Sequence, residues 1–312
     1  MSWKNKRVLI SGGTGFIGKN LALRLQREKA VPIPFGSRDC DLTDSSRVQK
    51  FFARQKDVDY IFHLATFQRT GNIQYKIRAD QFRINTSIHF NMLNAWKEHL
   101  PKAKLIGVGC SCSYPEKNSP VCEGDYWAGK LHDSVEYYGF VKKFLHVGMR
   151  AYSEQFGLKS AFLILSTVYG PGDNFDDGRS HFIAALIKRI ADAKANGAAQ
   201  VEIWGDGTQI RECLYIDDQI DALLIAAEKL ETPLMNVGGN ISCSVRQVAE
   251  AIKQSIGYKG KLFYNTDRFT GVPFKVLDST NFTKLARWTP KETLETGIEK
   301  TVRWYEASFC CV

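Results

Sequence analysis

Apolar residues recur along this chain in short bursts separated by longer amphipathic stretches. "RVLISGG" near the N-terminus reads as a first strand, and "FIGKNLALRLQREK" after it sets apolar residues at helical spacing. "VPIPF", "VDYIFHLA", "KLIGVG" and "SAFLILS" are further apolar runs, with helical stretches between them. Strands alternating with helices predict a parallel sheet covered on both faces. After "VYGPGDNFDDG" the rhythm changes to a helix "SHFIAALIKRIADAKANG", a short strand "VEIW" and a turn "GDGTQ". Residues 213–238 return to strand-and-helix character, and the tail from 239 has two helical segments and short strands. The pattern predicts an α/β fold. A Rossmann-type, doubly wound parallel sheet takes residues 1–171 plus 211–238, and a smaller C-terminal α/β lobe takes 172–210 plus 239–312.

A chain of 312 residues is long enough for such a two-part fold, and 44% apolar with 24% charged residues is ordinary globular composition. No apolar run approaches the ~18 residues of a membrane span. The N-terminus enters its first strand with no room for a signal peptide. The expectation is a cytoplasmic protein that does not engage a membrane. Net charge is +9, but the positives are scattered and no nucleic-acid module is present, so nucleic acid is not the expected partner. A site for several phosphates also suits a basic chain. The eight cysteines form no C-x-x-C pair. Only Cys110 and Cys112 approach metal-ligand spacing, so no metal is expected. Cys310 and Cys311 read as incidental, because Phe309 stands where a prenylated cysteine would.

"SGGTGFIG" changes the picture. Gly12, Gly15 and Gly18 give G-x-x-G-x-x-G, and Gly13, Gly15 and Gly18 also satisfy G-x-G-x-x-G. Between a strand and a helix, such glycines let the backbone approach a pyrophosphate at the helix N-terminus. Thr14, Phe16 and Ile17 complete the turn. The second strand ends Phe35-Gly36-Ser37-Arg38, with no acid before Asp39 to hold a ribose 2′-hydroxyl. Arg38 suits a 2′-phosphate, which predicts NADP, unless Arg38 merely pairs with Asp39. Asp41 and Leu42, and Leu64 and Ala65 after the third strand, are further candidate cofactor contacts.

Tyr-x-x-x-Lys on a helix projects both side chains from one face, and the lysine's charge is expected to lower the phenol's pKa for proton exchange. Two copies occur. Tyr126/Lys130 lies between Gly124 and Gly129, which disfavour a helix. Tyr138/Lys142 opens the periodic stretch "YGFVKKFLHVGMRAYSEQF" and is the expected catalytic pair.

These motifs together resemble the extended short-chain dehydrogenase/reductases, and within them the GDP-L-fucose synthases, which are GDP-4-keto-6-deoxymannose 3,5-epimerase/4-reductases. The resemblance rests on "CSCSYPE", "YGPGDNF", "SHFIAALIKRI", "WGDGTQIRECLYIDD", "NVGG" and "GYKGKLFYNT", which span nearly the whole chain in the family's order. It implies epimerisation beside a ketone, with Cys112 as base and His181 as acid, then reduction by NADPH with Tyr138 as proton donor. Lys142 and His181 also fall at cofactor positions. Arg189, Trp204, Arg211 and Lys275 fall at sugar-nucleotide positions, which implies a GDP-sugar substrate bound by the smaller lobe. A homodimer through the helix carrying Tyr138 is implied as well.

The chain departs from the family at several places. Cys110 stands where the family's serine donates to the keto oxygen, and a thiol is a weaker donor. Ser111 is adjacent, but in an extended segment it would point the other way. Either Cys110 does this work, or the backbone presents Ser111, or Tyr138 suffices alone. Ala184 replaces a proline, Phe274 an arginine and Thr167 an asparagine. These changes suggest a related GDP-4-keto-deoxy sugar, a 3-deoxy sugar among the candidates. An epimerase without reduction, a C4-reductase without epimerisation, and a non-catalytic NADP-binding regulator are the other readings. Buried Cys112, helix-capping His181, core Trp204 and ion-paired Arg211 are the bland readings of single residues.

Overall fold

The computed structural model describes residues 2–69, 73–176, 179–231, 234–268 and 270–309. Cys310 and Cys311 lie outside them. The chain runs β1 (Arg7–Ser11), α1 (Phe16–Arg27), β2 (Val31–Phe35), α2 (Ser45–Ala53), β3 (Tyr60–His63), α3 (Ile73–Lys76), α4 (Arg78–His99), β4 (Lys104–Cys110), α5 (Glu136–Phe156) and β5 (Ser160–Leu165). It continues through β6 (Thr167–Tyr169), α6 (Phe182–Ala195), β7 (Gln200–Trp204), β8 (Ile210–Tyr215), α7 (Ile216–Lys229) and β9 (Met235–Val237). The last part holds β10 (Ser242–Ser244), α8 (Val245–Ile256), β11 (Lys261–Asn265), β12 (Phe274–Lys275), α9 (Thr280–Ala286) and α10 (Leu294–Phe309).

Six strands pair in the order β2-β1-β3-β4-β5-β9, each neighbour parallel. β4 and β5 are buried almost throughout, as strands covered on both faces must be. Leu21, Leu25, Ile106 and Leu163 join an apolar cluster on the α1 and α7 side. Leu105, Phe162, Trp96 and Leu145 join a second cluster on the α4 and α5 side. Successive residues of one strand thus feed opposite layers, and the sheet is doubly wound as the periodicity predicts. The strand order reverses between β1 and β3. In such sheets that reversal opens a crevice at the carboxyl ends of the strands, where ligands bind.

A second sheet joins β10, β8 and β12, with β6 also on β8. β7 and β11 form a separate parallel pair. β6 and α9 escape the sequence pattern, and residues 111–113 form a 3₁₀ turn where an extended segment was expected. Among the described residues, no helix is long and apolar enough to cross a membrane.

Candidate active site

The glycine loop sits at the crevice. Gly12 has φ +67°, and a side chain there would press on Ala65 of the loop after β3. A Cβ on Gly18 would lie 2.3 Å from the Gly12 carbonyl oxygen, so only glycine lets α1 start this close to β1. Gly13 lies against Pro34 of β2. Gly15 is the N-cap of α1, with no side-chain cap and no acid in the first turn. The first N–H groups of α1 are therefore open to an anion. Thr14 is exposed beside them, with Phe16 and Ile17 half-buried. Leu64 donates its N–H to the Ser11 carbonyl, and Ala65 donates to the Ser11 hydroxyl. This cradle fits a dinucleotide pyrophosphate.

At the end of β2, Asp39 accepts from the Gly36 N–H and makes no ion pair with Arg38. Arg38 is exposed and makes no ion pair among the described residues. Asp41 accepts from both the N–H and the hydroxyl of Thr43, which hold its carboxyl below the usual range. Leu42 turns its side chain into the core, and its carbonyl accepts from Asn91.

Tyr138 and Lys142 lie one turn apart on α5, both buried, with the Lys142 Nζ 5.7 Å from the Tyr138 ring centre. Burial, and then Cys110, push the Tyr138 phenol well above 10, although Thr66 hydrogen-bonds it. The lowering expected from spacing is not what the structure gives, because desolvation of the buried phenol dominates. Lys142 itself is pushed down to about 8 by burial. The rival pair is split: Tyr126 is fully buried and Lys130 is exposed.

β4 ends at Cys110 and the chain turns at once into the 3₁₀ turn holding Ser111, Cys112 and Ser113. Gly139 of α5 packs against this turn. A Cβ there would lie 2.6 Å from the Cys112 carbonyl oxygen. The turn brings Cys110 Sγ to 3.8 Å from Ser113 Oγ and tucks Ser111 in with 9% exposure. Ser111 therefore sits in a tight turn and not in the extended segment that would aim it away. The Lys275 Nζ lies 2.9 Å from Cys112 Sγ. Cys112 is held well below the ordinary thiol range, by a hydrogen bond from Cys110 and by Lys275, while Cys110 is held well above it. Both are free thiols. His181 is the N-cap residue of α6, but its ring makes no capping bond, and it lies exposed near Cys112 and Lys275.

Further out, Trp204 is 38% exposed, so it is not a core residue. The Arg189 guanidinium lies 5.0 Å from its ring centre, and Arg268, which the sequence reading passed over, lies 5.9 Å away. Arg189 donates to the Glu202 carbonyl. Arg211 donates to the carbonyls of Ile210, Pro273 and Thr270 and pairs with no carboxylate among the described residues. β12 pairs with β8 so that Lys275 lies beside Arg211. Arg211 and Lys275 thus lie side by side with Cys112 against Lys275, while Arg189 and Arg268 flank Trp204. A glycine inside the helix carrying Tyr138 could have pointed to Gly139, whereas Arg268 meets Trp204 only through the fold. No three His, Cys, Asp or Glu side chains gather as a metal site among the described residues.

Residues 8–238 match the NAD dependent epimerase/dehydratase family. GDP-L-fucose synthase 1 of Arabidopsis thaliana is 31% identical over 99% of this chain and 96% of its own length. GDP-L-colitose synthase of Yersinia pseudotuberculosis is 30% identical over 96% of this chain and 97% of its own. Among solved structures, a GDP-L-fucose synthetase from Naegleria fowleri is alike in fold, with a TM-score of 0.89 at 24% identity over 99% of this chain and 96% of that one.

Proposed function

The chain belongs to the NAD dependent epimerase/dehydratase family, and from that premise we propose that it is an NADPH-dependent epimerase and reductase of a GDP-4-keto-6-deoxyhexose. The observation that carries this reading is one juxtaposition. A thiol touching an ammonium, Cys112 and Lys275, sits against the helix that carries Tyr138 and Lys142.

In this reading the Cys112 thiolate takes a proton from a carbon flanking the ketone, and the C–H electron pair moves into the enolate. His181 gives a proton to the opposite face, which inverts the carbon. Tyr138 gives its phenolic proton to the C4 oxygen as the ketone becomes an alcohol, and its raised pKa keeps that proton available. Bound NADPH supplies the hydride. The glycine cradle and α1 hold the pyrophosphate, Arg38 the 2′-phosphate, and Lys142 the nicotinamide side of the cofactor. Arg189, Trp204 and Arg211 hold the diphosphate and base of the sugar nucleotide. The cofactor belongs to residues 1–171 plus 211–238, and the sugar nucleotide to 172–210 plus 239–312. The exposed aromatic side chains of α4 and α5 pair two copies into a homodimer.

One observation favours a second substrate within the same chemistry. Phe274 and Val272 line the cleft beside Cys112 and Lys275. An apolar wall there suits a sugar lacking a hydroxyl, so a GDP-4-keto-3,6-dideoxy sugar is the alternative.

The test is turnover of both ketosugars in heavy water. The parent takes up deuterium beside the ketone and consumes NADPH faster than NADH. Cys112→Ser abolishes uptake, since a hydroxyl is far too weak an acid to replace a thiolate. Tyr138→Phe keeps uptake and slows reduction by roughly 10²–10⁴. Absence of both exchange and NADPH consumption with either sugar refutes the reading.

A further inference from the structure

We propose that Lys275 is a positioning residue that selects which of two neighbouring thiols ionises, fixing the negative charge on Cys112 and leaving Cys110 protonated. The inference rests on the reading of Cys112 as the base.

An ordinary thiol is only a few per cent thiolate at neutral pH. Two thiols two residues apart make the problem sharper, because one proton can sit on either sulfur. The resemblance marks Cys112 as the base, but the spacing of the two thiols does not say what keeps the charge there. In the structure the Lys275 ammonium is in hydrogen-bond contact with Cys112, at 2.9 Å. Cys110 instead meets the Ser113 hydroxyl and Cys112.

Both partners are held from behind. The carbonyl of Pro273 accepts from Ile210, that of Val276 accepts from Val121, and Leu277 donates to Glu212. The backbone on each side of Lys275 is thereby tied down. Cys112 sits in a 3₁₀ turn against Gly139 of α5. Lys275 makes no ion pair with a carboxylate among the described residues, so its charge is free to act on the sulfur.

The charged and titratable groups around Cys112 are Cys110 at the end of β4, Tyr138 on α5, His181 before α6, Arg211 on β8 and Lys275 on β12, with Tyr114, Glu116, Lys117 and His132 lining the same cleft. Lys142 acts on Cys110. The directions agree with the contact, with Cys112 held below the ordinary thiol range and Cys110 above it. Cys110 then serves Cys112 as a thiol donor. That gives the unusual cysteine a place in the site without any bond to the ketone.

The experiment reads the thiols directly and needs no sugar. The full-length protein is treated with iodoacetamide from about pH 5 to about pH 10, spanning the ordinary thiol pKa, and alkylation of each cysteine is followed by peptide mass spectrometry. In the parent, Cys112 reacts at lower pH than Cys110. In Lys275→Met, the Cys112 rate at neutral pH falls about tenfold or more and its lead over Cys110 disappears. Lys275→Arg, which keeps the charge, holds the lead. If Lys275→Met does not fold, Lys275→Gln is read in its place. An unchanged Cys112 profile in the neutral variant overturns the proposal. So does loss of sugar turnover with an unchanged thiol profile, which would make Lys275 a substrate contact only. A parent with reactive Cys112 but no deuterium exchange refutes the proposed function and leaves the thiol selection standing.

Discussion

In the proposed reaction, Tyr138 and Lys142 set opposite limits on the pH at which the site can reduce a ketone. Tyr138 must hold a proton to give it, and burial raises its pKa well above 10, so alkali does not strip it first. Lys142 must be charged to hold the nicotinamide side of the cofactor, and burial lowers it to about 8. Its charge is therefore present below that value and lost as pH rises through it. The NADPH-consuming step should fall above about pH 8, by about tenfold per pH unit, the behaviour of a single required proton. NADPH absorbance measured in single turnovers across this range checks it. A rate that stays flat to well above pH 9 would mean that Lys142 is not the limiting group. The pairing of these two residues was legible in the sequence, because helical spacing puts them on one face. The sign of the Tyr138 shift was not, since spacing carries no information about burial. Nor was the contact of Lys275 with Cys112, whose partners are 163 positions apart.

Elements with their own strong periodicity were readable, and those held by partners were not. β2 and α6 appear where the apolar pattern puts them. β6 is three residues long and exists because it pairs with Cys213–Tyr215, a dependence no local window contains. The turn at Ser111–Ser113 tightens where Gly139 allows α5 to close on it, and that too is a tertiary cause. The junction of β1 with α1 was legible from its glycines, and it carries a sharp prediction. By helix propensity alone Gly18→Ala should stabilise by about 1 kcal/mol. The added Cβ would instead sit 2.3 Å from the Gly12 carbonyl oxygen and 2.7 Å from the Gly13 Cα, both backbone atoms. Overpacking of this kind costs about 1–3 kcal/mol, so the expected result is a lower Tm and NADPH affinity reduced about tenfold or more. Lys19→Ala, at the next and exposed position, should change neither. Calorimetric melting and fluorescence titration with NADPH decide it, and an unchanged affinity in Gly18→Ala would show that the cofactor does not use this turn.

For the molecule as a whole, what is left uncovered matters as much as what is buried. α4 and α5 pack side by side, and both leave aromatic side chains in water: Phe82 at 41% exposure, Phe90 at 51% and Phe140 at 52%. Phe82 and Phe140 lie with ring centres 6.3 Å apart, so the two helices present one continuous face. Val147 extends it two turns along α5. A monomer rarely leaves such an apolar patch in water, and a self-complementary face of two helices is what a two-fold dimer requires. Tyr138 lies on the same helix but is buried, so a partner against the exposed face would brace the catalytic helix without blocking the cleft. Burying a phenylalanine contributes about 1.5–3 kcal/mol, and a two-fold axis uses Phe140 twice. Phe140→Glu removes that contribution and places a carboxylate against apolar neighbours, so dimer affinity should fall by roughly 10²-fold or more. Sedimentation equilibrium at matched concentrations measures it directly. The monomer so produced should still bind NADPH, because the glycine cradle is built from β1, α1 and the loop after β3 and not from this face, and it should lose turnover as α5 loosens. A parent that sediments as a monomer would refute the dimer, a Phe140→Glu protein that remains a dimer would place the interface elsewhere, and either would leave the aromatic face of α4 and α5 without an explanation.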